Sequence, residues 1–197
     1  DFMGFMPTAP EFLETPHMDR MAREGAHLVN AFVSTSLCSP SRASILTGQY
    51  MHHHGVVDNQ RPVPEAARFF PQWLQQAGYA TAFVGKWHMG HDHDQPRPGF
   101  DHWVSFRGQG TYFDPEFVQT GMAFGNPNDD PDLETVQHEG HSTDVITDLS
   151  LDWLENGRDP DKPFFLYLPY TCPHSPFQGP GDRQQDGRRA VQARVDA

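Results

Sequence analysis

Several features that would send a chain to a common functional class are scarce in this one. Cysteine occurs twice in 197 residues, as Cys38 and Cys172, too few for a disulfide framework. The pair either forms one bridge or stays as two thiols with different fates. Basic residues are also few: 14 Lys and Arg stand against 26 Asp and Glu, for a formal charge of −12. No basic surface stands out to displace counterions from a phosphate backbone, which argues against nucleic acid as a partner. A few local cations can still hold a small anion against that field. No apolar run approaches the ~20 residues of a membrane-spanning helix. The first residue is Asp1 rather than Met, so the lack of a visible signal peptide does not decide the compartment.

What the chain does have is material for a core. It is 37% apolar and 12% aromatic, with 15 Phe and 4 Trp, whereas disordered chains are poor in aromatics. Its length suits one domain or a large part of one. Thr15-Pro16 predicts a helix with Thr15 as N-cap, Met18, Met21 and Ala22 on one face, and Gly25 as terminator. Residues 27–33 predict a short strand built on Leu28, Phe32 and Val33. A second helix is expected from Ser39-Pro40 to Gly48 and a third from Pro71 to Gly78, followed by a buried strand over 79–84. Residues 91–141 lack periodicity and are either a functional loop region or small strands without a clear signature. Ser142 or Thr143 is expected to cap a helix through Leu154, and "PFFLYLPY" (163–170) predicts an apolar strand. Helices alternating with continuous apolar strands indicate an α/β fold with a largely parallel sheet flanked by helices. Residues 179–197 have few large apolar side chains and predict a loop or ragged tail. The domain, over residues 1–178, looks incomplete at both ends, so the chain reads as a fragment.

The densest chemistry lies in "LCSPSRASILTG" (37–48). A helix opening at Ser39-Pro40 places Cys38 beside unpaired backbone donors and the positive end of the helix dipole. Arg42 adds a planar donor fork suited to two oxygens of a sulfate or phosphate. The local alternative is a buried structural cysteine near a surface arginine. Lys86, Trp87 and His88 follow a predicted strand, at the edge where ligands bind in open α/β sheets. His174 sits in a loop after the later strand. His52-His53-His54 and "HMGHDHD" (88–94) contain zinc-ligand residue types, but no metal-site spacing supports zinc.

Cys38-Ser39-Pro40-Ser41-Arg42 with "ASILTG" resembles the signature of the type I sulfatases, members of the alkaline phosphatase superfamily. "TPHMDRMAREGAHLVNAFV", "GYATAFVGKWHMG" and "KPFFLYLPYTCPHSPF" resemble further family segments, in the expected order across residues 15–177. The order "HHHGVVDN", "GKWHMG", "RPGFDHWVSFRGQG" is most similar to the branch containing N-acetylglucosamine-6-sulfatases and related glycan sulfatases.

That resemblance implies an alkaline-phosphatase-like fold and a sulfuric ester hydrolase. It implies that a maturation enzyme oxidises Cys38 to formylglycine, whose hydrate attacks sulfur and later expels sulfate through a covalent intermediate. Arg42 and Lys86 would bind sulfate oxygens, His88 would help deprotonate the remaining hydroxyl, and His174 would serve the leaving group. His54, Asp58 and Asn59 would meet a sulfated carbohydrate at the pocket rim. The family also holds one Ca2+, to which position 38 would contribute an oxygen. Asp1-Phe2 does not reproduce the family's Asp pair, and no downstream Asp-Asn pair or pocket lysine can be assigned. The isolated chain is therefore expected to be inactive. Family habit implies a periplasmic, lysosomal or extracellular location. Two alternatives stay open: a phosphonate or phosphate ester hydrolase of the same superfamily, and a non-catalytic glycan-binding relative with unmodified Cys38.

Overall fold

In a computed structural model the structure describes residues 3–90, 95–120 and 135–184. The chain divides into two compact units, residues 1–33 and 34–197. In the first, helix α1 spans Pro16–Glu24, with Thr15 before it, proline in its first turn and Gly25 after it. The Thr15 hydroxyl accepts from Gly4 N at 2.6 Å and donates to Asp19 at 2.7 Å, which knots the preceding turns to the first turn of the helix. The strand expected over 27–33 does not form. Those residues are turn and coil, and Leu28, Val29 and Phe32 are exposed. An apolar run becomes a strand only when a neighbouring strand takes its backbone hydrogen bonds, and none does so among the described residues.

The second unit carries α2 (Cys38–Thr47), α3 (Met51–His54), α4 (Pro71–Gln76), β1 (Ala80–Lys86), β2 (His102–Phe106), β3 (Glu116–Gln119), β4 (Val136–Gln137), α5 (Ser142–Asp152) and β5 (Phe164–Tyr167). Five strands form one sheet in the order β4-β3-β2-β1-β5. Its centre is parallel: Val84 pairs with Val104, and Phe83 with Tyr167. The β3 and β4 edge is antiparallel. The parallel half was expected. The antiparallel half comes from the aperiodic region 91–141, whose strands are too short to show alternation.

β1 is central because its burial is nearly continuous, with six of its seven residues buried. Successive side chains leave opposite faces of a strand. Phe83 therefore joins Ala43, Leu46, Val56, Phe69, Trp87, Phe100 and Trp103 on the α2 side. Val84 joins Val104, Phe106, Phe117, Val145 and Ile146 on the α5 side. Phe83 stacks on Trp103 with ring centroids 4.3 Å apart, and burying a side chain of that size stabilises by roughly 2–3 kcal/mol. Helices on both faces of a sheet make an α/β layer architecture.

Two helix boundaries differ from expectation. α2 starts at Cys38, with Leu37 as its cap and no side-chain cap bond, one residue earlier than the proline rule placed it. Pro40 is then third, where its missing N–H still falls among the unpaired donors of the first turn. α5 is capped by His141, whose Nδ1 accepts from Thr143 N at 3.3 Å, a role usually given to Ser, Thr, Asp or Asn. The segment over 179–184 contains a short 3-10 turn, Pro180–Gln184; the remainder of the predicted tail lies outside the described residues.

Candidate active site

The carboxyl ends of β1, β2 and β5 open on one edge of the sheet, where the β1 end and exit carry Lys86 and His88 and the β5 exit carries His174. Lys86 is the last residue of β1 and is only 2% exposed. Its N–H donates to Pro169 O, beyond β5, at 2.8 Å. Arg42, one turn into α2, donates from Nη1 to Lys86 O at 2.5 Å, which fixes the helix against the strand end. Burial is the main cause lowering the pKa of both cations. The Arg42 charge lowers Lys86 further, whereas the Cys38 thiol raises both and Tyr167 raises Arg42. Cys38, Arg42 and Lys86 therefore form one electrostatic group.

Both cations have neutral hydrogen-bond partners. Arg42 bonds a carbonyl and Lys86 Nζ donates to Gln109 Oε1, while the salt bridges found among the described residues are Arg61–Asp58 and Lys162–Asp159. A half-buried and a buried like charge with no carboxylate partner among the described residues are unfavourable together. An anion at this edge relieves both the repulsion and the desolvation.

Ser39 and His88 complete the inner layer. The Ser39 hydroxyl, fully buried, donates to His88 O at 2.6 Å, so this serine serves as a clamp between α2 and the β1 exit. His88 is itself buried and takes a left-handed backbone, φ 46°. Such a conformation costs a non-glycine residue of order 1–3 kcal/mol and tends to occur at functional sites. Gln109 Nε2 lies 3.5 Å from His88 Nε2.

Gln109, Tyr112 and Tyr167 were missed by sequence reasoning. Gln109 stands between Gly108 and Gly110, whose φ values of 59° and 70° make the turn that presents it. A Cβ on Gly110 would fall 2.5 Å from the Phe106 ring. The glycine bracket was the available signal, but its target became visible only when β2 paired with β1.

His174 is partly buried and joins through the same β2 exit loop. Tyr112 Oη donates to His174 O at 2.6 Å, and Thr171 Oγ1 lies 3.5 Å from Gln109 O. The His174 ring Nδ1 lies 2.6 Å from Ser175 O, leaving Nε2 as the nitrogen for other contacts.

The expected rim residues hold backbone instead. His54 is 3% exposed; its Nε2 meets Ser44 Oγ at 3.0 Å and its Nδ1 accepts from Val56 N at 3.1 Å. Both ring nitrogens are engaged inside the fold, so a sugar contact by His54 has no geometric support. Asp58 accepts from Gln60 N and Arg61 N, each at 2.9 Å, in a self-capped turn. Asn59 Oδ1 accepts from Ser39 N at 3.0 Å, satisfying a first-turn donor of α2.

Cys38 and Cys172 are both free. No group of three His, Cys, Asp or Glu side chains converges among the described residues. This bears on both metals considered. The histidines of 52–54 do not gather ligands, and His91, Asp92, His93 and Asp94 lie outside the described residues, as does Asp1. Calcium takes six to eight oxygens, and the surroundings of Cys38 are cationic. The described residues alone do not fit a calcium cage. No helix among them is long and apolar enough to cross a membrane.

Comparison with known proteins agrees with this geometry. An N-acetylglucosamine-6-O-sulfatase of Bacteroides thetaiotaomicron is 40% identical over 165 residues, covering 82% of this chain and 26% of that protein. An N-acetylgalactosamine-6-sulfatase of Canis lupus familiaris is 30% identical over 83% of this chain and 35% of its own length. A solved structure described as a complex with its substrate D-glucosamine-2-N,6-O-disulfate superposes with a TM-score of 0.69 at 40% identity, over 82% of this chain and 30% of that one. The chain thus spans about a quarter to a third of the curated relatives' length. The sulfatase family model matches residues 6–195, and the chain belongs to the sulfatase family.

Proposed function

We propose that residues 1–178 form the amino-terminal part of the catalytic domain of a sulfuric ester hydrolase acting on a sulfated sugar of the glucosamine 6-O-sulfate type. The observation that carries this is half-buried Arg42 and buried Lys86 beside Cys38, with neutral hydrogen-bond partners among the described residues. Such a site suits a sulfate ester, whose oxygens spread negative charge over a tetrahedron. The sugar class is suggested by the names of the N-acetylglucosamine-6-O-sulfatase relative and of the glucosamine disulfate complex.

In this scheme Cys38 is matured to formylglycine, which supplies a hydrated aldehyde as nucleophile. Arg42 and Lys86 hold the sulfuryl oxygens and stabilise the charge that develops during transfer. His88 takes a proton at the position-38 hydroxyl, and His174 Nε2 donates toward the bridging oxygen of the leaving sugar. Asp58 and Asn59 shape the rim by holding its turns. Ca2+ would require oxygen ligands beyond the described cluster. Export to a periplasm, lysosome or the exterior is the matching location.

The test is mass spectrometry of the peptide spanning Cys38 from protein co-expressed with a formylglycine-generating enzyme. The expected product is the aldehyde or its hydrate. A persistent thiol would favour a glycan-binding role. In the full-length parent, matched aryl sulfate and phosphonate esters should show faster sulfate turnover, and a clear phosphonate preference would overturn the assignment.

A further inference from the structure

The β2 exit loop places one uncharged side chain between the two polar groups at the end of β1. We propose that Gln109 is a positioning residue, whose carboxamide fixes the hydrogen-bonding direction of His88 while leaving Lys86 charged for an anion. Lys86 Nζ can only donate, so the carboxamide oxygen faces it. The amide NH2 is then the group facing His88 Nε2 at 3.5 Å, and it too can only donate. His88 Nε2 must accept, which puts the imidazole proton on Nδ1.

The separation is long for a hydrogen bond, but the frame around it is narrow. His88 is 4% exposed, its carbonyl is clamped by Ser39 Oγ at 2.6 Å, and its φ of 46° leaves little backbone freedom. Gln109 is constrained by the two left-handed glycines beside it, and its carbonyl faces Thr171 Oγ1 at 3.5 Å. A carboxylate in its place would pair with Lys86 and spend that cation on the protein. It would also accept from His88, moving the proton to Nε2. An amide does neither: Lys86 keeps a net charge for the ligand, and His88 keeps Nε2 basic. This deepens the proposed hydrolase, since a basic Nε2 is what proton abstraction at position 38 needs, and in that respect it rests on the proposed function. The tautomer itself does not.

The experiment uses the full-length parent labelled with 15N-histidine, with long-range proton–nitrogen correlation spectra recorded at mildly alkaline pH. A His88→Gln spectrum identifies the His88 signals. The expected wild-type result is the Nδ1–H tautomer. Gln109→Glu should reverse it to Nε2–H, and Gln109→Leu, which neither donates nor accepts, should weaken the Nδ1–H signature. Protonation at Nε2 in the wild type overturns the proposal, as does a tautomer unchanged in both variants. The wild-type spectrum decides even if neither variant folds. Turnover is not read, so failure here leaves the hydrolase assignment intact, and a persistent Cys38 thiol would refute the hydrolase without touching Gln109.

Discussion

Gly85 precedes Lys86 in the strand that supports the whole site, and replacing it by alanine tests that support. Its φ of +135° is a conformation L-residues rarely adopt, and an added Cβ would lie 2.3 Å from Pro169 O and 3.0 Å from Pro169 C. Both contacts are with backbone, so no side chain can swing away. Relief requires β1 and the β5 exit to part by about 1 Å, since an ordinary carbon–oxygen contact needs ~3.3 Å. That movement breaks the 2.8 Å bond from Lys86 N to Pro169 O. Leaving those buried groups unpaired costs about 1–3 kcal/mol, and forcing a non-glycine residue into this backbone region costs of order 1–3 kcal/mol. Gly85→Ala should therefore lower stability by about 3 kcal/mol or more. Urea unfolding followed by tryptophan fluorescence reads this directly, because Trp87 and Trp103 are both buried in the core on the α2 side. A change below about 0.5 kcal/mol, the range of ordinary surface substitutions, would refute the argument that close packing at Gly85 positions Lys86.

Other consequences concern the site and its pH response. In the full-length parent, Arg42→Ala should lower kcat/KM for a sulfate ester by about a hundredfold, since one oxyanion contact is worth ~3 kcal/mol in the barrier; near-normal turnover would remove Arg42 from the mechanism. His174→Ala should slow sugar sulfates more than activated aryl sulfates, because a poor leaving group needs its proton most, and equal losses on both would count against that role. Burial is the first cause lowering the pKa of His54, His102 and His138 below their usual 6.5. The unfolded chain then binds more protons than the folded one, so their contribution is present above about pH 6.5 and is lost as pH falls below it. The urea midpoint should drop between about pH 7 and pH 5.5, above the carboxylate range, and a flat midpoint across that window would contradict it.

How much of this was legible beforehand varied by element. The strand at β1 and the helix at α5 announced themselves through continuous apolar runs and helical spacing. α1 was marked by Thr15-Pro16 and Gly25. β3 and β4 span four and two residues, too short for any period, and exist because β2 offers an edge. Residues 27–33 had strand composition but no strand partner among the described residues. His54 and Asn59 were noticed for their polarity. Their hydrogen bonds to Ser44 and Ser39 show that the polarity holds α2 in place, which sequence proximity alone could not distinguish from a ligand contact.

The order of residues by itself determined the chemistry available: a cysteine at a helix opening with an arginine one turn on, and a lysine and histidine closing an apolar strand. These are local facts, settled by spacing of a few residues. Only tertiary structure decided that Arg42 grips the carbonyl of Lys86 across 44 positions, that neither cation has a carboxylate partner among the described residues, and that Gln109 stands between Lys86 and His88. Such relations depend on which strand ends share an edge, and strand pairing is a long-range choice governed by burial on both faces of the sheet.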